Sequence, residues 1–188
     1  SVGQEGLVTL SQRAEEVLDL SLEALRKRDA AKAEAVLIAD RELDRMEVEL
    51  EALAISLLAL QQPMARDLRF IVSAIKIVSD LERVGDHAVN IAGSTIRMNA
   101  FVTKLGVPPQ IEEMGRLARS MLSDALDAVI RLDGVMGRDV CRRDDAVDAL
   151  HETMFRSLLT HMMEEPRKIS YALELLLVGR NLERVADL

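Results

Sequence analysis

The chain has 188 residues, enough for one compact unit or two small ones with a real core. Hydrophobic residues make up 49% and charged ones 30%, with mean hydropathy +0.09, which suits a soluble folded protein and argues against disorder. Aromatics at 2% exclude base-stacking platforms and aromatic cages, and a net charge of -8 argues against nucleic acid as a partner.

The elements read as helices from end to end, because the stretches between Pro63, Pro108, Pro109 and Pro166 are rich in Ala, Leu, Glu, Lys, Arg and Met. The spacing predicts a first helix from Gln4 to Lys27, broken near Asp29, and a second from Ala30 to Leu60. Pro63 opens the third, which runs to Met98. A linker from Asn99 to Pro109 follows, with Gly106 and a Pro-Pro pair. The fourth helix reaches Leu132 before Gly134 and Gly137, the fifth spans Arg138 to Glu164, and the sixth starts at Pro166 and reaches Leu188. No period-two strand pattern persists. The longest apolar stretch, Ala52 to Leu60, is too short to cross a bilayer, and no signal-peptide pattern is visible. With one cysteine, Cys141, read as a packing residue, a cytoplasmic location is expected.

The halves repeat each other. Leu81-Glu82-Arg83-Val84-Gly85-Asp86 matches Leu182-Glu183-Arg184-Val185-Ala186-Asp187. Upstream, Val36, Asp40, Leu43 and Asp44 match Val140, Asp144, Val147 and Asp148 in the same order. The expected architecture is all-α: two similar three-helix bundles side by side about a pseudo-twofold, with residues 1–100 and 110–188 as repeats and 101–109 as linker.

Acids interrupt apolar seams. On helix three, Leu68, Ile71, Ile75 and Val78 form a stripe whose steps of three and four carry Glu82 inward, with Asp86 at its edge. Helix six repeats this with Glu183 and Asp187. On helix two, Asp40 and Glu47 interrupt the core face and Asp44 flanks it; on helix five, Asp144 holds the place of Asp40 and His151 that of Glu47. Two carboxylates about 6 Å apart repel by roughly 3 kcal/mol at an effective dielectric of 20. Acids meeting this way must be protonated, paired with Arg83 or Arg184, solvated, or neutralised by a cation. Acids four residues apart share a helix face and can reach one ion, and oxygen donors favour hard cations. An acid face open to water at the end of the seam is the competing reading. The methionines, Met154, Met162 and Met163 among them, read as core filler.

These residues resemble the PhoU family, the accessory regulators of bacterial phosphate uptake. The resemblance is strongest from Asp67-Leu68-Arg69-Phe70-Ile71 through Asp80-Leu81-Glu82-Arg83-Val84-Gly85-Asp86-His87-Ala88-Val89-Asn90-Ile91. It implies multinuclear metal sites holding iron, Mn, Mg or Zn. One would be Asp40, Asp44, Glu82 and Asp86, and the other Asp144, Asp148, Glu183 and Asp187, with Asn90, Glu47 and His151 as supplementary ligands. It also implies a regulator, not an enzyme, that dampens phosphate uptake and starvation signalling. Its partners would be the ATPase subunit of a phosphate ABC transporter and a phosphate-sensing histidine kinase. A homodimer and peripheral membrane association fit the same picture.

The chain departs from the pattern in places. The second motif stops at Asp187-Leu188, with no counterpart of His87 or Asn90, so the sixth helix reads as cut short. His87 is expected at the surface or in a bond between helices, and Asp145 is expected to be solvated. The alternatives are a carboxylate-bridged di-iron enzyme, which calls for Glu-x-x-His pairs absent from both signatures, and a metal-free helical interaction module.

Overall fold

The computed structural model describes residues 2–60, 65–101, 106–131 and 136–188. Six α-helices fill them: α1 (Val2–Lys27), α2 (Ala30–Leu60), α3 (Ala65–Asn99), α4 (Pro109–Arg131), α5 (Met136–Glu164) and α6 (Ile169–Asp187). Pro63 and Gly134 lie outside the described residues, as do the side chains of Val140 and Cys141. Pro166 does not open α6; it starts a 3-10 turn, Pro166–Lys168, entered from the extended backbone of Glu165. The residue before a proline avoids the α region, so α5 stops at Glu164.

The α1–α2 corner is built without glycine. Arg28 takes the left-handed conformation at φ 53°. Asp29 N–H then donates to Ala24 O (2.9 Å) and Arg28 N–H to Leu25 O (3.2 Å), closing the last turn of α1. Asp29 Oδ1 accepts from Lys32 N–H (3.1 Å) and caps the start of α2. One short side chain thus ends one helix and begins the next.

Two three-helix bundles result, α1–α2–α3 and α4–α5–α6, joined mainly by α3 against α6 and also by α1 and α3 against α4. Among the described residues α2 touches only α1 and α3, and α5 only α4, α6 and the 3-10 turn. The helices therefore form a front layer in the order α2, α3, α6, α5, with α1 and α4 behind it. The back layer supplies much of the core through stripes such as Leu7, Leu10, Ala14 and Leu18 on α1 and Ile111, Met114 and Ala118 on α4. At the join, Leu22 on α1 fills the space beside Gly115 on α4, where a Cβ would stand 2.7 Å from Leu22 Cδ1.

The front layer is stitched across the pseudo-twofold. Arg97 on α3 makes a forked pair with Glu174 on α6 (2.7 and 3.1 Å). His87 Nδ1 lies 2.8 Å from Asn181 Oδ1, and Asn90 Nδ2 donates to the same oxygen at 3.1 Å. Phe101 meets the buried Tyr171 edge-on at 6.3 Å. Residues 87 and 97 of α3 meet 181 and 174 of α6, so the two helices run antiparallel. Asp29→Ala removes the cap of α2 and is expected to cost about 1 kcal/mol in urea unfolding, whereas Asp29→Asn should cost far less.

Candidate metal centres

The α2–α3 contact gathers one group of acids. Asp40, Asp44 and Glu47 come from successive turns of α2, and Glu82 and Asp86 from one turn of α3. The charges of Asp44, Glu82 and Asp86 converge on both Asp40 and Glu47. Asp40 is half-buried, and its carboxyl is pushed up to about 6, first by burial and then by Asp44, Asp86 and Glu82. Glu47 is 4% exposed. Burial, followed by the charges of Asp44, Glu82, Asp40 and Asp86, drives it up to about 8. Asp44 is raised by burial and by Asp86. Buried Asp40 Oδ1 and Glu47 Oε1 have no hydrogen-bond partner. Such oxygens are costly to bury bare.

Gly85 makes the closeness sterically possible. A Cβ there would collide with Asp40 Oδ1 and stand 2.9 Å from Leu43 Cδ2. The glycine inside the signature is thus the clearance that lets an α2 carboxylate lie against the α3 backbone.

The α5–α6 contact repeats the arrangement with different chemistry. Asp144 is pushed up to about 7, first by burial, then by a hydrogen bond with Asp187 and the charges of Asp187, Asp148 and Asp145. Glu183 is raised by burial and by a hydrogen bond with Asp148, while His151 pulls it back. His151 Nδ1 lies 3.5 Å from Glu183 Oε2, and buried His151 Nε2 and Asp144 Oδ1 lack partners. Oxygens of Asp144, Asp145 and Asp148 lie within 4.8 Å of one another. Asp145 is exposed as expected, yet it joins the group, which its place beside Asp144 in Asp144-Asp145-x-x-Asp148 could have signalled.

Two expectations from the seams need correction. Glu82 is not in a core stripe: it and Asp86 are exposed, and Leu68 is 43% exposed. The buried stripe of α3 runs through Ile77, Leu81, Val84, Ala88 and Ile91, roughly 130° round from the line through Ile75, Val78 and Glu82 at 100° per residue. The physical reason is that α3 packs against α1, α2, α4 and α6. The Leu68–Val78 line is only its α2-facing flank, and it opens to water at both ends. Met163 is also no core filler, at 78% exposed, because the core of α5 lies along Val147, Met154 and Leu158.

The remaining residues fall as follows. Asn90 and His87 are engaged with Asn181 across the α3–α6 join. Arg83 and Arg184 are exposed, and among the described residues neither forms an ion pair with the clustered acids. The anions are therefore not neutralised by the neighbouring arginines. Orphaned buried oxygens, like charges held together and a glycine cradle fit a hard cation. The first centre offers oxygen alone, and the second adds an imidazole.

Comparison with known proteins places these features in a family. The PhoU domain family matches residues 7–95 and 111–188, one segment per bundle. A phosphate-specific transport system accessory protein PhoU homolog of Clostridium acetobutylicum is 39% identical over 182 residues, covering 96% of this chain and 83% of that protein. One from Caulobacter vibrioides is 42% identical over 164 residues, covering 87% and 71%. The crystal structure of PhoU from Pseudomonas aeruginosa superposes with TM-score 0.91 at 32% identity, covering 98% of this chain and 88% of that one. The phosphate transport system regulatory protein PhoU from Streptococcus pneumoniae gives 0.88 at 28% identity, covering 98% and 86%.

The raised carboxyls set the pH response of the metal-free protein. A fold that raises an acid's pKa is most stable below the ordinary value, 4.5 for Glu47, and loses that stability as pH rises through the folded value of about 8. The Tm of metal-free protein is expected to fall between about pH 5 and pH 8, through Asp40, Asp144 and then Glu47. Glu47→Gln should flatten the upper part of that fall, and Mn2+ should restore Tm at pH 8. A flat Tm profile without metal would contradict this electrostatic picture. Gly85→Ala should cost about 1–3 kcal/mol by overpacking, and Asp40→Ala on top of it should recover part of the loss in chemical denaturation.

Proposed function

The chain belongs to the PhoU family, and on that premise we propose that it is a metal-binding accessory protein of a phosphate transport system that lowers phosphate uptake and starvation signalling. The observation that carries this reading is the pair of carboxylate centres, one per repeat, with buried oxygens lacking a partner. Relatives named as accessory and regulatory proteins of phosphate transport support the system it serves. The family is not a known enzyme family, and regulation needs only binding. In this reading the chain works in the cytoplasm. No described helix is long and apolar enough to cross a membrane.

The residues divide the work. Asp40, Asp44, Glu82 and Asp86 hold one ion or cluster, with Glu47 as a buried reserve carboxylate behind them. Asp144, Asp148, Glu183 and Asp187 hold the other, with His151 and Asp145 beside them. A bound cation supplies the positive charge that lets the acids ionise together. It thereby fixes α2 against α3 and α5 against α6. The all-oxygen first centre suits Mg2+ or Mn2+, and the imidazole at the second suits iron or Zn2+. Docking to the transporter ATPase and to the phosphate-sensing kinase would act by favouring one conformational state of each partner.

Metal analysis with anomalous scattering tests the centres. Glu82→Ala with Asp86→Ala should remove the metal of the first centre, leave that of the second, and preserve helicity. Unchanged stoichiometry would exclude these two residues as ligands. Purified transporter ATPase and sensor kinase should each be retained by the immobilised chain. Failure to retain either, with and without metal, would overturn the adaptor reading.

A further inference from the structure

Ten of the eleven large hydrophobic side chains that the described residues expose sit at the front of the α2–α3–α6–α5 layer or at its outer rim, and Ile38 is the exception. Helical register places them there. Leu68 precedes Asp86, and Ile169 precedes Asp187, by a spacing of about five turns. Ile55 follows Asp44, Phe155 follows Asp144 and Leu159 follows Asp148 by about three turns. Each apolar run therefore continues the helix face of an acidic centre. In the second repeat, the antiparallel register that sets His151 against Gly179 and Asp144 against Asp187 brings Phe155 and Leu159 on α5 level with the turns of α6 around Leu173. In the first, the antiparallel register that sets Asp40 against Gly85 brings Ile55 on α2 level with the turn of α3 between Leu68 and Val72. Two apolar strips, each along the furrow between two packed helices, thus start at the two acidic centres and run to opposite ends of the front layer, related by the pseudo-twofold. Scattered exposed hydrophobics are ordinary, but a duplicated alignment on one face marks an interaction site.

We infer that this front is a single bipartite docking surface for a homodimeric protein that lays one amphipathic helix, with a basic residue at its inner end, along each groove. The inference rests on the adaptor reading and adds to it the face and the chemistry of the partner. Charge complementarity selects the occupant. The inner end of each groove exposes three carboxylates, Asp44, Glu82 and Asp86 in one and Asp145, Asp148 and Asp187 in the other, and one divalent cation there still leaves net negative charge. Apolar side chains on the partner helix fit the groove in the manner of helix-in-groove recognition. Two equivalent grooves fit a partner that is itself twofold, because linking two sites raises affinity without new contacts. A second copy of this chain fits poorly, since front against front would set acidic centres against acidic centres.

The probe is a short Leu/Lys amphipathic helical peptide, single and as a disulfide-linked pair, with a Leu/Glu peptide as control. Each is titrated into the full chain with and without Mn2+. The single Leu/Lys peptide should bind at two sites, more weakly at higher salt, and the linked pair at least about tenfold more tightly. The Leu/Glu peptide should not bind. Leu159→Asp with Leu173→Asp should leave one site and abolish the gain from linking, while Ile38→Asp changes neither. Equal binding by the doubly substituted chain, or by the Leu/Glu peptide, would overturn the surface. So would a sedimenting dimer of this chain that Leu173→Asp dissociates, which would assign the face to a second copy. The same Leu159→Asp/Leu173→Asp chain separates this inference from the adaptor reading. If it still retains the ATPase and kinase as well as the parent does, the face is wrong and the adaptor stands. If the peptides behave as expected and neither protein is retained by the parent, the face stands and the adaptor falls.

Discussion

The structure depends on one electrostatic constraint: carboxylates from two helices meet where neither water nor arginine neutralises them fully. Asp40 Oδ1 lies against the α3 backbone at Gly85, and Glu47 is buried beneath it. Bringing these groups together in ionised form costs more than the local hydrogen bonds return, because none reaches the buried oxygens. The apolar back layer holds the helices at this separation regardless. Stability is therefore supplied by α1 and α4 with the rear of α3 and α6, and is spent in part at the front.

The two halves solve the same problem with different side chains. In the first, Gly85 gives clearance to Asp40, and the deep position is Glu47. In the second, Ala186 stands where Gly85 would be, and the deep position is His151. Clearance appears instead at Gly179, the counterpart of Val78, where a Cβ would press on Met154 Cε and lie 2.7 Å from His151 Cδ2. A ring is wider than a carboxylate, so the gap moves about two turns along the helix to admit it. The centres are pseudo-symmetric in position and distinct in donor chemistry.

Much of this was legible in the sequence. Strong helix formers punctuated by proline, and the duplicated Leu-Glu-Arg-Val run, were enough for six helices in two bundles. The seams on α2 and α5 placed Asp40, Glu47, Asp144 and His151 correctly at buried or half-buried positions, because each of those helices has its core on one side. The seam on α3 misled, because a helix touched by four others has a wide apolar arc, and its most regular stripe need not be its deepest. Met163 and Leu68 were misplaced for a related reason. Periodicity assigns apolar residues to a core, and it cannot mark those that lie on an outward groove. The stitching of His87 and Asn90 to Asn181 joins residues far apart in sequence, and spacing within one helix carries no sign of it.

The front layer also ties charge to geometry. Glu82 and Asp86 are on the same helix as Val84 and Ala88, which pack the core, and Glu183 and Asp187 share α6 with Leu182 and Val185. A cation that draws the acids together on one face would, on the proposed reading, act on the packing of the other, and Arg97–Glu174 and the Asn181 bridge are the polar contacts that join α3 to α6. On the proposed reading the same cation reduces the negative charge that meets a basic partner helix. By linkage, whatever the metal does to partner affinity the partner must do to metal affinity, in equal measure. Metal load and docking strength would then be one coupled quantity, set by how many carboxylates on the α2–α3 and α5–α6 flanks are ionised at once.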